Sequence, residues 1–175
     1  MRLFISVEIS DELKDKIADI QKRFRDIDIN LVEKGNLHFC LKFLGEVADD
    51  KLEEIKKVMT KVGEQFEPFT IHITGIGAFP NKNYVKVLFL DVKEGREAMK
   101  AIASMLGPSD KPFVPHLTLG RIRSGKGKEK LQELIKELEN VEIGKMEVGE
   151  IRLIKSELTP SGPLYEEIFT TKLGS

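Results

Sequence analysis

Apolar and polar positions along the chain change period repeatedly, and each change marks an element. Leu3, Ile5 and Val7 alternate with Phe4, Ser6 and Glu8, which predicts a mostly buried first strand. Ser10 followed by Asp11 and Glu12 predicts a helix start, with Ser10 as N-cap and acids in the first turn; Leu13, Ile17, Ile20 and Phe24 form its apolar stripe. A short strand is expected over 29–32, a turn at Gly35-Asn36, and a strand over 37–44 that Gly45 ends. Asp49 and Asp50 cap a second helix, whose Leu52, Ile55, Val58, Met59 and Val62 recur at helical spacing. Strands follow over 69–79 and 84–92, joined by a hairpin at Asn81-Lys82-Asn83. A third helix over 94–106, a loop over 107–112, a strand over 114–122 and a polar loop over 124–128 come next. The chain closes with a helix over 129–139, a long strand over 141–158 with internal glycines, a turn over 159–163 and a last strand over 165–173.

Within this order one sequence of elements occurs twice. A strand carrying a histidine and ending in glycine leads to a helix and then a long strand: first 37–45, 50–65 and 69–79, then 115–120, 129–139 and 145–158. Any α+β chain can be cut into such halves. The matching histidines, His38 and His116, are what favour a true repeat, and with it two βαβ-like lobes about a pseudo-two-fold axis in one domain, 1–175.

Composition narrows the class. The 175 residues are 41% hydrophobic and 33% charged, and no apolar run approaches the ~20 residues of a spanning helix. The N-terminal stretch meets charge again at Asp11 and Glu12, too soon for a signal peptide, so a cytoplasmic location is expected. A single cysteine, Cys40, excludes an internal disulfide framework and a multi-cysteine zinc site. Lys+Arg is 28 against 29 Asp+Glu, so an anionic partner must be held by a local patch rather than by bulk charge. The Lys/Glu-rich balance without tryptophan is what ion-pair networks at high temperature favour, compatible with a thermophilic source.

The candidate chemistry lies on the two histidine strands. Residues i and i+2 share a strand face, so His38, Cys40 and Lys42 look one way while Phe39, Leu41 and Phe43 look the other. His116 and Thr118 likewise oppose Leu117 and Leu119. If the axis brings the two faces together, two imidazoles form an acid–base pair, because a side chain titrating near ~6.5 serves in either state. The short polar residue two positions on sits ~6.5–7 Å along the same face, where a hydroxyl can donate to a phosphate oxygen between the histidines.

His38-Phe39-Cys40-Leu41-Lys42-Phe43-Leu44-Gly45 and Pro115-His116-Leu117-Thr118-Leu119-Gly120-Arg121 resemble the paired H-x-T-x motifs of the 2H phosphoesterases, and within them the LigT-like RNA 2′,3′-cyclic phosphodiesterases, also called 2′-5′ RNA ligases. The likeness extends to the opening Arg2–Val7 stretch and the closing stretch from Ser156 to Tyr165. It implies a bilobal fold with a central cleft, two pseudo-symmetric lobes of antiparallel sheet with helices packed outside. It also implies metal-free hydrolysis, without a cofactor, of a terminal 2′,3′-cyclic phosphate on an RNA 3′ end (tRNA halves or a nucleotide among the partners) to a 2′-phosphate, with the chain acting as a monomer. By the same resemblance His116 is the proton acceptor that activates water and His38 the proton donor to the leaving 3′ oxygen, while Thr118 and position 40 hold the phosphate. Roles exchanged, the pair would run 2′-5′ ligation.

Cys40 departs from the family's threonine, and a thiol is the weaker donor. A nucleophilic Cys40 beside a histidine is an alternative. Arg121 is a phosphate-binding candidate; strict alternation would put it on the core face unless Gly120 supplies a bulge or the strand ends there. Arg123, Lys126, Lys128 and Lys130 extend a basic stretch suited to an RNA backbone or simply to solvent. Lys42 shares the His38 face, where it would line the cleft or simply be solvated, and Tyr165 and Phe43 are placed to stack on a base or pack in the core or at a rim. His72, between Thr70 and Thr74, reads as an ordinary strand histidine. The histidines and the cysteine show no zinc-ligand spacing, and Gly125-Lys126-Gly127-Lys128 lacks the frame of a phosphate-binding loop. A second class of reading, a module that binds an RNA end or nucleotide with little turnover, uses the same residues.

Overall fold

The computed structural model describes residues 1–175. The elements run β1 (Arg2–Glu8), α1 (Asp11–Gln21), β2 (Ile29–Leu31), β3 (His38–Glu46), α2 (Leu52–Gln65), β4 (Phe69–Asn81), β5 (Tyr84–Val92), α3 (Arg96–Met105), β6 (Leu117–Ile122), α4 (Lys128–Glu137), β7 (Glu142–Val148), β8 (Glu150–Thr159) and β9 (Gly162–Lys172). The fold is α+β, as the alternation of periods predicts. Ser10 caps α1 as expected: its hydroxyl accepts from the Leu13 N–H at 3.4 Å. Phe24 falls beyond α1 in a single 3₁₀ turn over Lys22–Phe24 but is still fully buried.

The strands hydrogen-bond in the order β7-β4-β5-β6-β3-β1-β8-β9, with β2 pairing β6 off that path, and every pairing is antiparallel. From the centre outwards the order is symmetrical: β6 and β3, then β5 and β1, then β4 and β8. These are the strands that correspond in the two copies of the repeat. The copies nevertheless exchange a strand. β4, from the first copy, pairs with β5 and β7 of the second, and β8, from the second, pairs with β1 of the first. Each lobe is therefore assembled from both halves of the sequence. The long strand expected over 141–158 is two strands. Its alternation changes parity between Val148 and Ile151, both buried, and the chain passes at Gly149 from the β7 edge to the β1 side.

One sheet face is apolar. Leu3, Ile5 and Val7 of β1, Phe39 and Leu41 of β3 and Leu117 and Leu119 of β6 are almost fully buried. They join the inward stripes of the helices, such as Ile17 of α1, Met59 of α2, Ile102 of α3 and Leu134 of α4, in one contiguous core spanning both lobes. Each such side chain contributes roughly 1.5–3 kcal/mol of burial. The opposite face of the central strands is left for chemistry. No helix is long and apolar enough to cross a membrane.

Candidate active site

The two histidine strands meet at the centre of the sheet through one residue pair, Phe39 with Leu117. Beyond it they diverge, because β2 takes the remaining length of that edge of β6, from Leu31 opposite Gly120 to Ile29 opposite Ile122. Phe39 and Leu117 are repeat mates, separated in sequence by the same interval as His38 and His116. The pseudo-two-fold axis thus passes through this pair. His38 and Thr118 flank it at one end, Cys40 and His116 at the other. Phe39 and Leu117 are both fully buried, so their neighbours in sequence all project to the opposite face. The four polar side chains proposed from the motifs share one patch, and each is partly buried.

Both imidazoles are held by the same contact. His38 Nδ1–H donates to the Asn36 carbonyl at 2.7 Å, and His116 Nδ1–H donates to the Val114 carbonyl at 2.7 Å. A carbonyl oxygen only accepts, so the Nδ1 atoms carry the protons and each Nε2 is left free to take or give one. Pro115 supports the second contact: lacking an N–H, it delays the strand until Leu117 and leaves Val114 irregular. This shortens the strand expected from residue 114.

Aromatic walls fix the rings further. Phe4 lies 4.9 Å and Tyr165 5.6 Å from the His38 ring centroid, the latter edge-on at 89°. Phe79 lies 5.0 Å and Phe89 5.5 Å from that of His116. Phe89 reaches this position only because Gly77, its partner on β4, has no side chain; a Cβ there would stand 2.5 Å from the Phe89 ring. None of Phe4, Phe79, Phe89 and Gly77 is distinguishable in the sequence from ordinary strand residues, because their contacts to the histidines are set by pairing across the sheet.

A bulge recurs at equivalent places and decides which side chains face the site. On β6, Thr118 pairs with Phe89 and Gly120 with Leu88, so Leu119 is an extra residue; on β3, Cys40 pairs with Ser6 and Lys42 with Ile5, so Leu41 is. The first bulge returns Arg121, partner of Val87, to the face of Thr118 and Phe89; the extra residue is Leu119, whereas Gly120, expected to supply the bulge, is paired with Leu88. The second turns Lys42 to the side of buried Ile5. There its ammonium donates to the Gly107 carbonyl at 3.4 Å and to that of Pro108, so Lys42 does not line the cleft. Phe43, at the place corresponding to Arg121, is 57% exposed with the Arg2 guanidinium 5.3 Å from its ring centroid.

Burial pushes the His38 pKa below its ordinary value. The Asn36 carbonyl and the nearby Glu8 carboxylate oppose this, while charge on His116 adds to it, so the two imidazoles sense each other across the patch. Burial pushes the Cys40 thiol up to about 11. A thiol so rarely ionised at neutral pH is a poor nucleophile, which removes the main support for covalent catalysis by Cys40. Burial also raises Tyr165, with Cys40 adding to the effect and the Arg121 and Arg2 charges opposing it. Tyr165 of the first lobe and Arg121 of the second therefore share one electrostatic environment. His72 sits apart, bonded to Glu142 on the β4–β7 edge. No group of three or more His, Cys, Asp and Glu side chains is arranged to hold a metal ion.

Two imidazoles on one face of a pseudo-symmetric α+β scaffold, each tied through Nδ1 to a backbone carbonyl, are what a two-histidine phosphoesterase requires. The family model described as "LigT like Phosphoesterase" matches this chain twice, over residues 7–89, which hold the His38 motif, and 90–165, which hold the His116 motif. The chain is 39% identical to the RNA 2′,3′-cyclic phosphodiesterase of Methanothermobacter thermautotrophicus over 99% of both chains, and 38% identical to that of Methanocaldococcus jannaschii over 96% of this chain and 98% of the relative. A crystal structure of a Thermus thermophilus protein superposes with a TM-score of 0.86 at 27% identity, covering 99% of this chain and 98% of that one. The chain belongs to the LigT-like phosphoesterase family.

Proposed function

We propose that this protein is an RNA 2′,3′-cyclic phosphodiesterase that opens the terminal cyclic phosphate by histidine acid–base chemistry. The observation that carries the reading is the pair of imidazoles, each tied through Nδ1 to the carbonyl two residues before it and each presenting Nε2 beside the central strand pair. The curated relatives at 39% and 38% identity carry this activity as their name.

In the proposed step a water oxygen attacks phosphorus and gives its proton to His116 Nε2. The bond from phosphorus to the 3′ oxygen breaks, and that oxygen takes the proton on His38 Nε2, leaving a 2′-phosphate and a 3′-hydroxyl. Thr118 donates its hydroxyl to a non-bridging oxygen, and Arg121 offsets charge as phosphorus becomes five-coordinate. Cys40 occupies the matching place in the other lobe as a weaker donor. Burial disfavours the protonated His38 that the donor role needs. The bound phosphate anion supplies the compensating charge, so His38 takes up its proton together with substrate. A 5′-hydroxyl in place of the attacking water would run the same step: its proton goes to His116 Nε2, the 3′ oxygen leaves with the proton of His38 Nε2, and the product is a 2′-5′ linkage, so ligation needs no exchange of the two roles.

The test is an oligonucleotide ending in 2′,3′-cyclic phosphate, incubated in excess EDTA. The expected result is a 2′-phosphate product, abolished by His38→Ala and by His116→Ala. Binding without turnover, or turnover restored only by a divalent metal, overturns the proposal.

A further inference from the structure

Beyond the histidine patch the second lobe carries a groove of about 550 Å³, well inside the ~300–1,000 Å³ span of small-ligand sites. One wall is the start of β5, with Tyr84 and Lys86; the other is the end of β6 and the loop into α4, with Arg121, Arg123, Lys126 and Lys128. No acidic residue lines it, although acids outnumber Lys+Arg in the chain as a whole, 29 to 28. Arg123 is paired with Asp28 at 3.0 Å, but Lys86, Arg121, Lys126 and Lys128 have no carboxylate within ion-pairing distance.

The loop is anchored. The Lys126 carbonyl accepts from the Asp28 N–H at 3.3 Å, and Gly127 adopts a φ of +81° where a Cβ would stand 2.9 Å from the Asp26 carbonyl. Tyr84 is 60% exposed, with the Lys86 ammonium 5.7 Å from its ring centroid, which leaves an aromatic face for stacking. Arg121 belongs both to this groove and to the site face, so the two are continuous. The rim of the other lobe has the opposite character: Arg152 is surrounded by Glu150 at 2.8 Å, Glu167 at 3.2 Å and Glu8 at 3.7 Å.

We infer that the groove carries the RNA strand leading up to the terminal phosphate, its backbone along the unpaired cations and one base on Tyr84. The inference rests on the proposed phosphodiesterase reading and adds the path of the polymer to it. Free cations beside an exposed aromatic ring are the features by which single strands are held without sequence preference.

The experiment compares a nucleoside 2′,3′-cyclic phosphate, which ends at the histidines, with a single-stranded RNA of about twelve nucleotides ending in the same group. Lys126→Ala/Lys128→Ala and Tyr84→Ala are each expected to raise the KM of the oligonucleotide about ten-fold or more and to leave both constants of the mononucleotide unchanged. Binding of the same RNA bearing an uncleavable 3′-phosphate, followed by fluorescence anisotropy, tests the groove independently of turnover. With about 0.7 of log–log salt slope per phosphate contact, the double lysine variant should lose roughly 1.4 from that slope. If the wild type binds RNA in this variant-sensitive way but hydrolyses nothing, the activity proposal fails and the groove stands. Unchanged RNA affinity and salt slope in the variants, equal losses on both substrates, or competition by poly-glutamate as effective as by RNA overturns the inference.

Discussion

Gly77→Ala probes whether the aromatic wall behind His116 positions the imidazole. The added methyl would lie 2.5 Å from two atoms of the Phe89 ring, where carbon atoms normally stand ~3.5–4.0 Å apart, so the ring must yield by about 1 Å. Phe89 is only 6% exposed, with the Phe79 ring centroid at 4.4 Å on one side and His116 at 5.5 Å on another, so it has no empty space to retreat into. Overpacking of this kind costs roughly 1–3 kcal/mol of stability, and a 1 Å displacement of a reacting group costs on the order of 100-fold in rate. The expected outcome is a lower melting temperature together with a kcat reduced about 10- to 100-fold per folded molecule on a cyclic-phosphate oligonucleotide. The NMR signals of the His116 ring should move while those of His72 stay. Adding Phe89→Leu should recover stability and part of the rate. Gly149→Ala, with open space around it, is the neutral reference. Stability lost with kcat and the His116 signals unchanged would refute the positioning argument.

Further outcomes follow from the site. Thr118→Ala should cost about 10- to 100-fold in kcat/KM, the worth of a hydrogen bond to a charged group, while Cys40→Ala costs only a few-fold; equal losses at matched stability would contradict the weaker clamp on that side. Native Cys40, its thiol pushed up to about 11, holds only ~10⁻⁴ of thiolate at pH 7, so iodoacetamide should label it far more slowly than after unfolding; comparable rates would count against that burial. A His38 that donates its proton makes activity fall as pH rises through its pKa. Burial lowers that pKa in the free enzyme and substrate phosphate raises it, so the alkaline limb of kcat/KM should lie at lower pH than that of kcat. Coincident or reversed limbs would remove His38 from the donor role.

The local layer of this protein is legible from residue order. Period-2 and period-3.6 alternation located the strands and helices, the Ser10 cap was readable from its neighbours, and the parity of the two motifs put His38 with Cys40 and His116 with Thr118 on polar faces. These properties depend on neighbours within a few positions, which is all that backbone periodicity involves. The repeat was legible too, because two histidine strands in equivalent settings leave a trace in the order of elements.

What lay beyond reach required contacts between distant segments. The exchange of β4 and β8 between the copies depends on which edges pair, and no local preference records that. The bulges at Leu41 and Leu119 arise from cross-strand register; they sent Lys42 away from the cleft and brought Arg121 to it, against the simple alternation of both strands. The aromatic rings around each imidazole, and the basic groove formed where the β5 strand meets the loop before α4, exist only once the sheet has closed. Residue identity sets which chemistry each side chain can perform, whereas strand pairing sets which side chains meet, because hydrogen bonding along an edge constrains position without regard to distance along the chain.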